Sequence, residues 1–316
     1  MNVTERVIQE QFQFWPAALA TPSLEKTDSK FVIVGCGTSY HLAQSIAASF
    51  SLRGLNAIAV PGGEWARRRR AYVASDANVH VIALSRSGES TETVQALEVS
   101  RAAGFKTTAI TCEANSSVTR HADSVVFAKT HPGEGIVMTS SASLMLIMGL
   151  RLAGVTLEGS LVNDARVTMG KVDTALHGAL AERSHFVYLG AGPLYGIAGE
   201  GSIKVQEMSL SYAHTYHTME YRHGPVSLVD DKTLAVLLYS SDTREEEAKL
   251  AAELTEKGAL VLGFGGPGHI EIELPGLAES RSIMVLPALQ ILGERVAELR
   301  GLDTTAPRHL NKVVTL

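Results

Sequence analysis

The sequence predicts an α/β protein made of two tandem, doubly wound parallel sheets, and three observations lead there. Short apolar runs rich in β-branched residues recur along the chain, with stretches of helical character between them. The runs are continuous rather than alternating, which marks strands buried on both faces, and such strands alternating with helices make a parallel sheet covered on both sides. The pattern then repeats: FVIVGCGTS beginning at Phe31 has its counterpart in FVYLGAGPL beginning at Phe186. Each copy is a strand running into Gly-x-Gly and then a helix, and the period is the size of one ordinary domain.

Taken in order, the strands of the first half are KFVIVGCG, NAIAVP, HVIALS, TTAITC and SVVFAK. Those of the second half are HFVYLGAG, TLAVLLYS, ALVLGFG and SIMVLPA. SASLMLIMGLRLAGV is the most apolar long segment; Arg151 interrupts it too soon for it to span a bilayer, so it reads as a core helix. The polar stretch LVNDARVTMGKVDTALHGALAERSH reads as the helical connection between the halves. The expected division is a domain over 1–160 with a leading helix and a second domain over 161–316.

The 316 residues are 45% hydrophobic and 19% charged, with a net charge of −5, which suits a globular chain with a sizeable core. There is no general basic field, so nucleic acid and membrane surfaces are not expected partners. The one basic run, Arg67–Arg70, reads as a solvated helix face or a subunit contact, with long-range attraction of an anionic substrate as the other reading. Cys36 and Cys112 each end an apolar run and are expected as buried thiols. That fits a reducing compartment and gives no disulfide framework. No metal-ligand spacing and no signal-peptide plan appear, and the expected location is cytoplasmic.

The chemistry should lie where strands end. GCGTSY and SRSGES both close a strand and open a helix, and in doubly wound sheets ligands bind beyond the carboxyl ends of the strands. A helix N-terminus offers unpaired N–H groups and positive potential, serine hydroxyls add donors, and glycine admits close approach. The expected guest is a phosphate, cradled by Ser85, Ser87 and Ser90 with the amides near Gly88. Neither a P-loop nor a complete GxGxxG fingerprint is present, which favours a small phosphate ester over a nucleotide. The plainer reading is that Ser-Gly-Glu-Ser is only a helix N-cap.

A second cluster is EGSIKVQEMS, read as a helix after the GAG strand end. Lys204 and Glu207 share a face at a spacing of three, and Glu200 lies four residues before the lysine. By spacing alone this is equally a surface ion-pair ladder. His223 in YRHGPVS sits on a turn marked by Gly224 and Pro225, where a lone histidine is ordinarily a capping or surface residue. His214 and His217 take the structural reading.

Jointly, GCGTSY, LSRSGES with TETVQAL, and EGSIKVQEMS followed by EYRHGP resemble the double-SIS (sugar isomerase domain) phosphosugar isomerases, over nearly the whole chain from about residue 28 to PRHLNKVVTL. Within them the chain is similar to the isomerase half of glucosamine-6-phosphate synthase. It is also similar, at ITCEAN, MTSSAS and RHGPVSLVDD, to the branch of tagatose-6-phosphate ketose/aldose isomerases and amino-sugar 6-phosphate deaminases. The resemblance implies flavodoxin-like domains and a chemistry without metal or redox cofactor. It implies Glu207 as the proton shuttle, His223 as the ring-opening acid/base, and Lys204 and Lys312 as stabilisers of the open chain. Thr38, Ser39, Ser85, Arg86, Ser87, Ser90, Val137 and Asn311 are the implied substrate and phosphate contacts. It further implies a tail folded over the sugar, and a homodimer with shared active sites in which the histidine reaches across.

The departures are informative. The first strand begins near residue 31, which leaves no expected room for the synthase's glutaminase domain. Ser141 and Arg86 stand where the synthase has lysine and glutamine, whereas LNK near the C-terminus is synthase-like. The expectation is therefore an enzyme that isomerises a hexosamine 6-phosphate and releases ammonia to leave a ketose 6-phosphate. A tagatose-6-phosphate-type isomerase and a fructosamine-6-phosphate deglycase are the close alternatives, and a non-catalytic sugar-phosphate sensor is the alternative of another class.

Overall fold

A computed structural model describes residues 1–25, 27–74, 77–176 and 178–314. The chain forms two compact units. One comprises Gln9–Leu157 together with the tail from Asn311; the other comprises Met1–Ile8 and Glu158–Leu310. The two ends are thus exchanged relative to a simple division near residue 160. Ionic and polar pairing anchors the first of them: Arg295 donates to Glu5 at 2.6 Å and to Asp173 at 2.6 Å, and Asn2 donates to Glu294.

The chain opens with helix α1 (Val3–Glu10) and α2 (Trp15–Leu19). The N-terminal unit then runs β1 (Lys30–Gly35), α3 (Thr38–Leu52), β2 (Ala57–Pro61), α4 (Gly62–Arg68), β3 (Val79–Ser85), α5 (Thr91–Ala102), β4 (Lys106–Thr111), α6 (Ser117–His121), β5 (Ser124–Phe127) and α7 (Ser140–Leu152). Its five strands are all parallel, in the order β2-β1-β3-β4-β5. That is the flavodoxin-like order, with its switch point between β1 and β3. One face of the sheet is sealed by Val32, Val34, Val81, Ala83 and Leu97 with Trp65. On α7 every residue from Ser140 to Leu150 is buried, which is why the segment is apolar all round. Gly149 allows α7 to lie on α3, since a Cβ there would come within 2.2 Å of Ile46 Cδ1.

The C-terminal unit runs α8 (Leu161–Ala175), β6 (His185–Gly190), α9 (Pro193–Ser209), β7 (Tyr212–His217), β8 (Thr233–Leu238), α10 (Arg244–Glu256), β9 (Leu260–Phe264), β10 (Ile270–Ile272) and α11 (Ala278–Leu299). Its sheet, ordered β10-β9-β8-β6-β7 and parallel throughout, has the same topology as the first. The internal repeat is exact in backbone detail. Gly37 and Gly192, the second glycine of each Gly-x-Gly, sit at φ 55° and 53°, where only glycine is comfortable. The first glycine of each, Gly35 and Gly190, lets the following helix pass so close that a Cβ would lie 2.6 Å from backbone atoms of Ser39 and Leu194.

Three features differ from the sequence expectation in this unit, the first being the short edge strand β10, three residues long, which was not expected. SIMVLPA is not a strand: it lies inside α11, whose residues Ser282–Glu294 are all buried. A short apolar run enclosed on all sides has no periodicity to separate helix from strand. The strand that completes the sheet beside β6 is instead YAHTYH, β7, a half-exposed edge strand. No described helix is long and apolar enough to cross a membrane.

Candidate active site

In the N-terminal unit the loops after β1 and β3 flank the switch point of the sheet. Thr38 and Ser39 open α3 and are each only 4% exposed. Cys36, expected buried, is half-buried because it stands at the open carboxyl end of β1; its Sγ lies 3.7 Å from Thr93 Oγ1, and burial pushes its pKa up. Cys112 is buried as expected.

The serine loop is folded by its own hydroxyls. Ser85 Oγ accepts the N–H of Gly88 at 3.1 Å, and Ser87 Oγ accepts that of Glu89 at 3.2 Å. Accepting uses a lone pair and leaves each hydroxyl hydrogen able to donate. Gly88 has φ +69°, and a Cβ there would lie 2.0 Å from Ser116 Oγ. Ser90 is the N-cap residue of α5, yet its side chain makes no cap hydrogen bond, so the loop is not a simple capping box. Glu89 turns to α6, where its carboxylate accepts from Ser117 N at 2.8 Å and Ser117 Oγ at 2.6 Å; those bonds hold its pKa below the usual range. The 12-residue helix α5 therefore presents its N-terminus behind hydroxyls and amides, a ready anion site.

The tail belongs to this same unit. Arg86, 8% exposed, donates from Nη1 to the carbonyl oxygen of Gly135 and from Nη2 to that of Lys312, both at 2.9 Å. Lys312 Nζ donates to the carbonyl oxygen of Glu134 at 2.8 Å, and the carbonyl of Val314 faces Thr91 N at 3.4 Å. Asn311 is exposed beside Lys312, while Val137 is buried. Glu134 was not singled out by sequence reasoning. Its buried carboxylate caps α7, accepting from Thr139 N at 2.7 Å and Ser141 N at 3.0 Å. A glutamate in a glycine-flanked turn a few residues ahead of a Thr-Ser-Ser helix start was the available signal. Away from these loops, Arg67, Arg68 and Arg70 are exposed, with Arg68 paired to Glu64 at 2.7 Å.

In the C-terminal unit α9 carries Lys204 wholly enclosed between two carboxylates. Its Nζ is 2.5 Å from Glu207 Oε2 and 3.6 Å from Glu200 Oε1. Lys204 and Glu200 are 0% exposed and the Glu207 side chain 22%, so this is no surface ladder. Enclosing an ammonium needs such partners, and Glu207 is the carboxylate that reaches the surface. Small residues bring the packing close. A Cβ on Gly201 would lie 2.7 Å from the Tyr188 ring and 2.8 Å from Leu289 Cδ1, and one on Gly293 of α11 would lie 3.5 Å from Lys204.

His223 is exposed on a loop that is nonetheless fixed. Its neighbour Arg222 makes a bidentate pair with Glu253 of α10, at 2.8 and 3.0 Å, and Gly224 turns the chain at φ 122°. His217 stacks on Tyr195 at 3.8 Å and His214 meets His185 edge-on.

The SIS domain model matches residues 23–153 and 179–266. Glutamine–fructose-6-phosphate aminotransferases (isomerizing) are similar along most of the chain. That of Pyrobaculum aerophilum is 30% identical over 310 residues, covering 90% of this chain and 51% of the relative. That of Pseudomonas aeruginosa is 29% identical with the same coverage. The chain thus spans about half the length of these curated relatives. Among solved structures, glucosamine-6-phosphate deaminase from Thermotoga maritima is 30% identical, with a TM-score of 0.88 and full coverage of both chains. Tagatose-6-phosphate ketose/aldose isomerase from Escherichia coli is 25% identical, with a TM-score of 0.81, covering 96% of this chain and 95% of that one.

Proposed function

The chain belongs to the SIS domain family, and we propose that it is a phosphosugar aldose/ketose isomerase of the deaminating kind, converting a hexosamine 6-phosphate to a ketose 6-phosphate and ammonia. The observation that carries this reading is the enclosed Lys204 paired with the partly exposed Glu207 on α9. Aldose–ketose chemistry needs a base that removes a proton from C2 and returns it to C1, beside a positive charge that lowers the cost of the intervening oxyanion. A carboxylate hydrogen-bonded to a buried ammonium meets both needs.

Roles follow residue by residue. The serine loop, with Ser85, Ser87 and Ser90 and the α5 amides, binds the phosphate, and Thr38 and Ser39 contact the sugar. His223 exchanges the proton that opens the ring to the free aldehyde. Glu207 takes the C2 proton to give an enolamine and delivers a proton to C1, leaving an imine at C2. Water adds to that imine and ammonia departs, giving the ketose. Lys204 offsets the charge that develops on O1, and Lys312 contacts the open chain. No cofactor enters these steps. We extend the proposal to a cytoplasmic homodimer in which the exposed His223 serves the partner's site, with no nucleic-acid or membrane partner.

The likeness to the Escherichia coli tagatose-6-phosphate isomerase supports a second reading, plain isomerisation of a ketose phosphate without loss of ammonia. Incubating the purified protein with glucosamine 6-phosphate and, separately, galactosamine 6-phosphate separates the two. Ammonia and ketose 6-phosphate from either establish the deaminase and name the epimer. Interconversion of tagatose 6-phosphate with its aldose, and no ammonia, would replace it with the second reading.

A further inference from the structure

Arg86 occupies the middle of the serine loop, yet its guanidinium is committed elsewhere. Nη1 holds the Gly135 carbonyl and Nη2 the Lys312 carbonyl. Lys312 is consequently held at both ends, by Arg86 through its main chain and by the Glu134 carbonyl through its Nζ. One nearly buried side chain therefore ties together the loop after β3, the turn ahead of α7 and the tail. The chemistry suits arginine. Its planar fork carries donors in fixed directions and stays charged, so it can bind two carbonyls on separate segments at once, where a lysine would present a single point charge.

We propose that Arg86 is a positioning residue that latches the tail to the serine loop, so that occupancy of the loop by a phosphate group and placement of Lys312 are coupled. The latch stands on the two hydrogen bonds; the coupling rests on the phosphate site proposed above. If phosphate steadies the loop that carries Arg86, it steadies the tail, and by linkage the fastened tail strengthens phosphate binding by the same factor.

Trypsin provides a test that needs no turnover. Cleavage after Lys312 requires its side chain and carbonyl to leave their partners, and intact-mass measurement reads the loss of residues 313–316. Cleavage after the exposed Arg70 serves as the internal reference for protease activity. In the wild type, cleavage after Lys312 is slow and inorganic phosphate slows it further. In Arg86→Gln it is about tenfold faster or more, as expected for loss of charged hydrogen bonds, and phosphate no longer protects. Arg86→Lys, which keeps the charge and one bond, falls between the two and carries the test if the glutamine variant does not fold. Wild-type cleavage rates in both variants overturn the latch. Phosphate protection that persists in Arg86→Gln overturns the coupling. An unchanged tail with phosphate affinity down a hundredfold makes Arg86 a direct ligand and overturns the proposal. A freed tail in Arg86→Gln, with no phosphate effect on the wild type, overturns the coupling through failure of the phosphate site itself.

Discussion

Lys204 Nζ lies 2.5 Å from Glu207 Oε2, with the lysine wholly enclosed and the carboxylate partly open. The pair costs desolvation, and breaking one side of it leaves a buried charge without its nearest partner. Lys204→Met removes the ammonium and leaves Glu200 and Glu207 without it. The expected result is a destabilisation of about 3–5 kcal/mol in denaturant unfolding, together with loss of turnover. Lys204→Arg keeps the charge, but a planar guanidinium in a wholly enclosed site does not reproduce the point charge of the ammonium, so it is expected to restore little activity.

Gly201 tests the close packing that sets this pair in place. A methyl group there meets the Tyr188 ring and Leu289 at under 3 Å. Gly201→Ala gains helix propensity, yet the overlap dominates, and a net loss of about 1–3 kcal/mol in equilibrium unfolding is expected. A stabilised variant would show that α9 has slack the structure does not display.

Gly88 tests the anion cradle. Its φ of +69° and the 2.0 Å approach to Ser116 leave no room for alanine without moving the loop. Gly88→Ala is expected to weaken binding of inorganic phosphate at least tenfold by calorimetry, and more than Ser87→Ala, which removes one hydroxyl and leaves the backbone in place.

His80 predicts a pH dependence of stability. It is 2% exposed on β3, bonded to Thr108 Oγ1 at 2.8 Å, and burial with the nearby Lys106 lowers its pKa from 6.5 to about 4. As pH falls below 6.5 the unfolded chain takes up a proton that the native state refuses, so stability is lost between pH 6.5 and about 4. The loss reaches roughly 2 kcal/mol at pH 5. Urea unfolding of His80→Gln against the wild type across that range should show the slope reduced by one proton. Parallel profiles would mean His80 titrates alike in both states.

Much of the fold was legible because buried parallel strands write themselves as continuous apolar runs. Strands β1, β3 and β4 and the repeat at Phe31 and Phe186 could be read that way, whereas edge strand β5 is apolar in sequence yet largely exposed. Edge strand β7 could not, since YAHTYH is half exposed and its polar positions break the run. SIMVLPA misled for the opposite reason, as a helix enclosed on every side resembles a buried strand. At the site, spacing placed Lys204 and Glu207 on one face, but only the fold shows that the lysine is enclosed. The direction of Arg86 was illegible, because its partners are backbone carbonyls that carry no sequence signature.

The central claim is that Glu207 moves the proton in a deaminating isomerisation. The most direct measurement is ammonium release from hexosamine 6-phosphates by the wild type and by Glu207→Gln, with phosphate-ester binding measured on both by calorimetry. Release by the wild type, a loss of about a hundredfold or more in the variant, and similar binding by the two are expected. Binding by both with turnover by neither would make the protein a sensor. Equal turnover by both would remove Glu207 from the chemistry; either result contradicts the account.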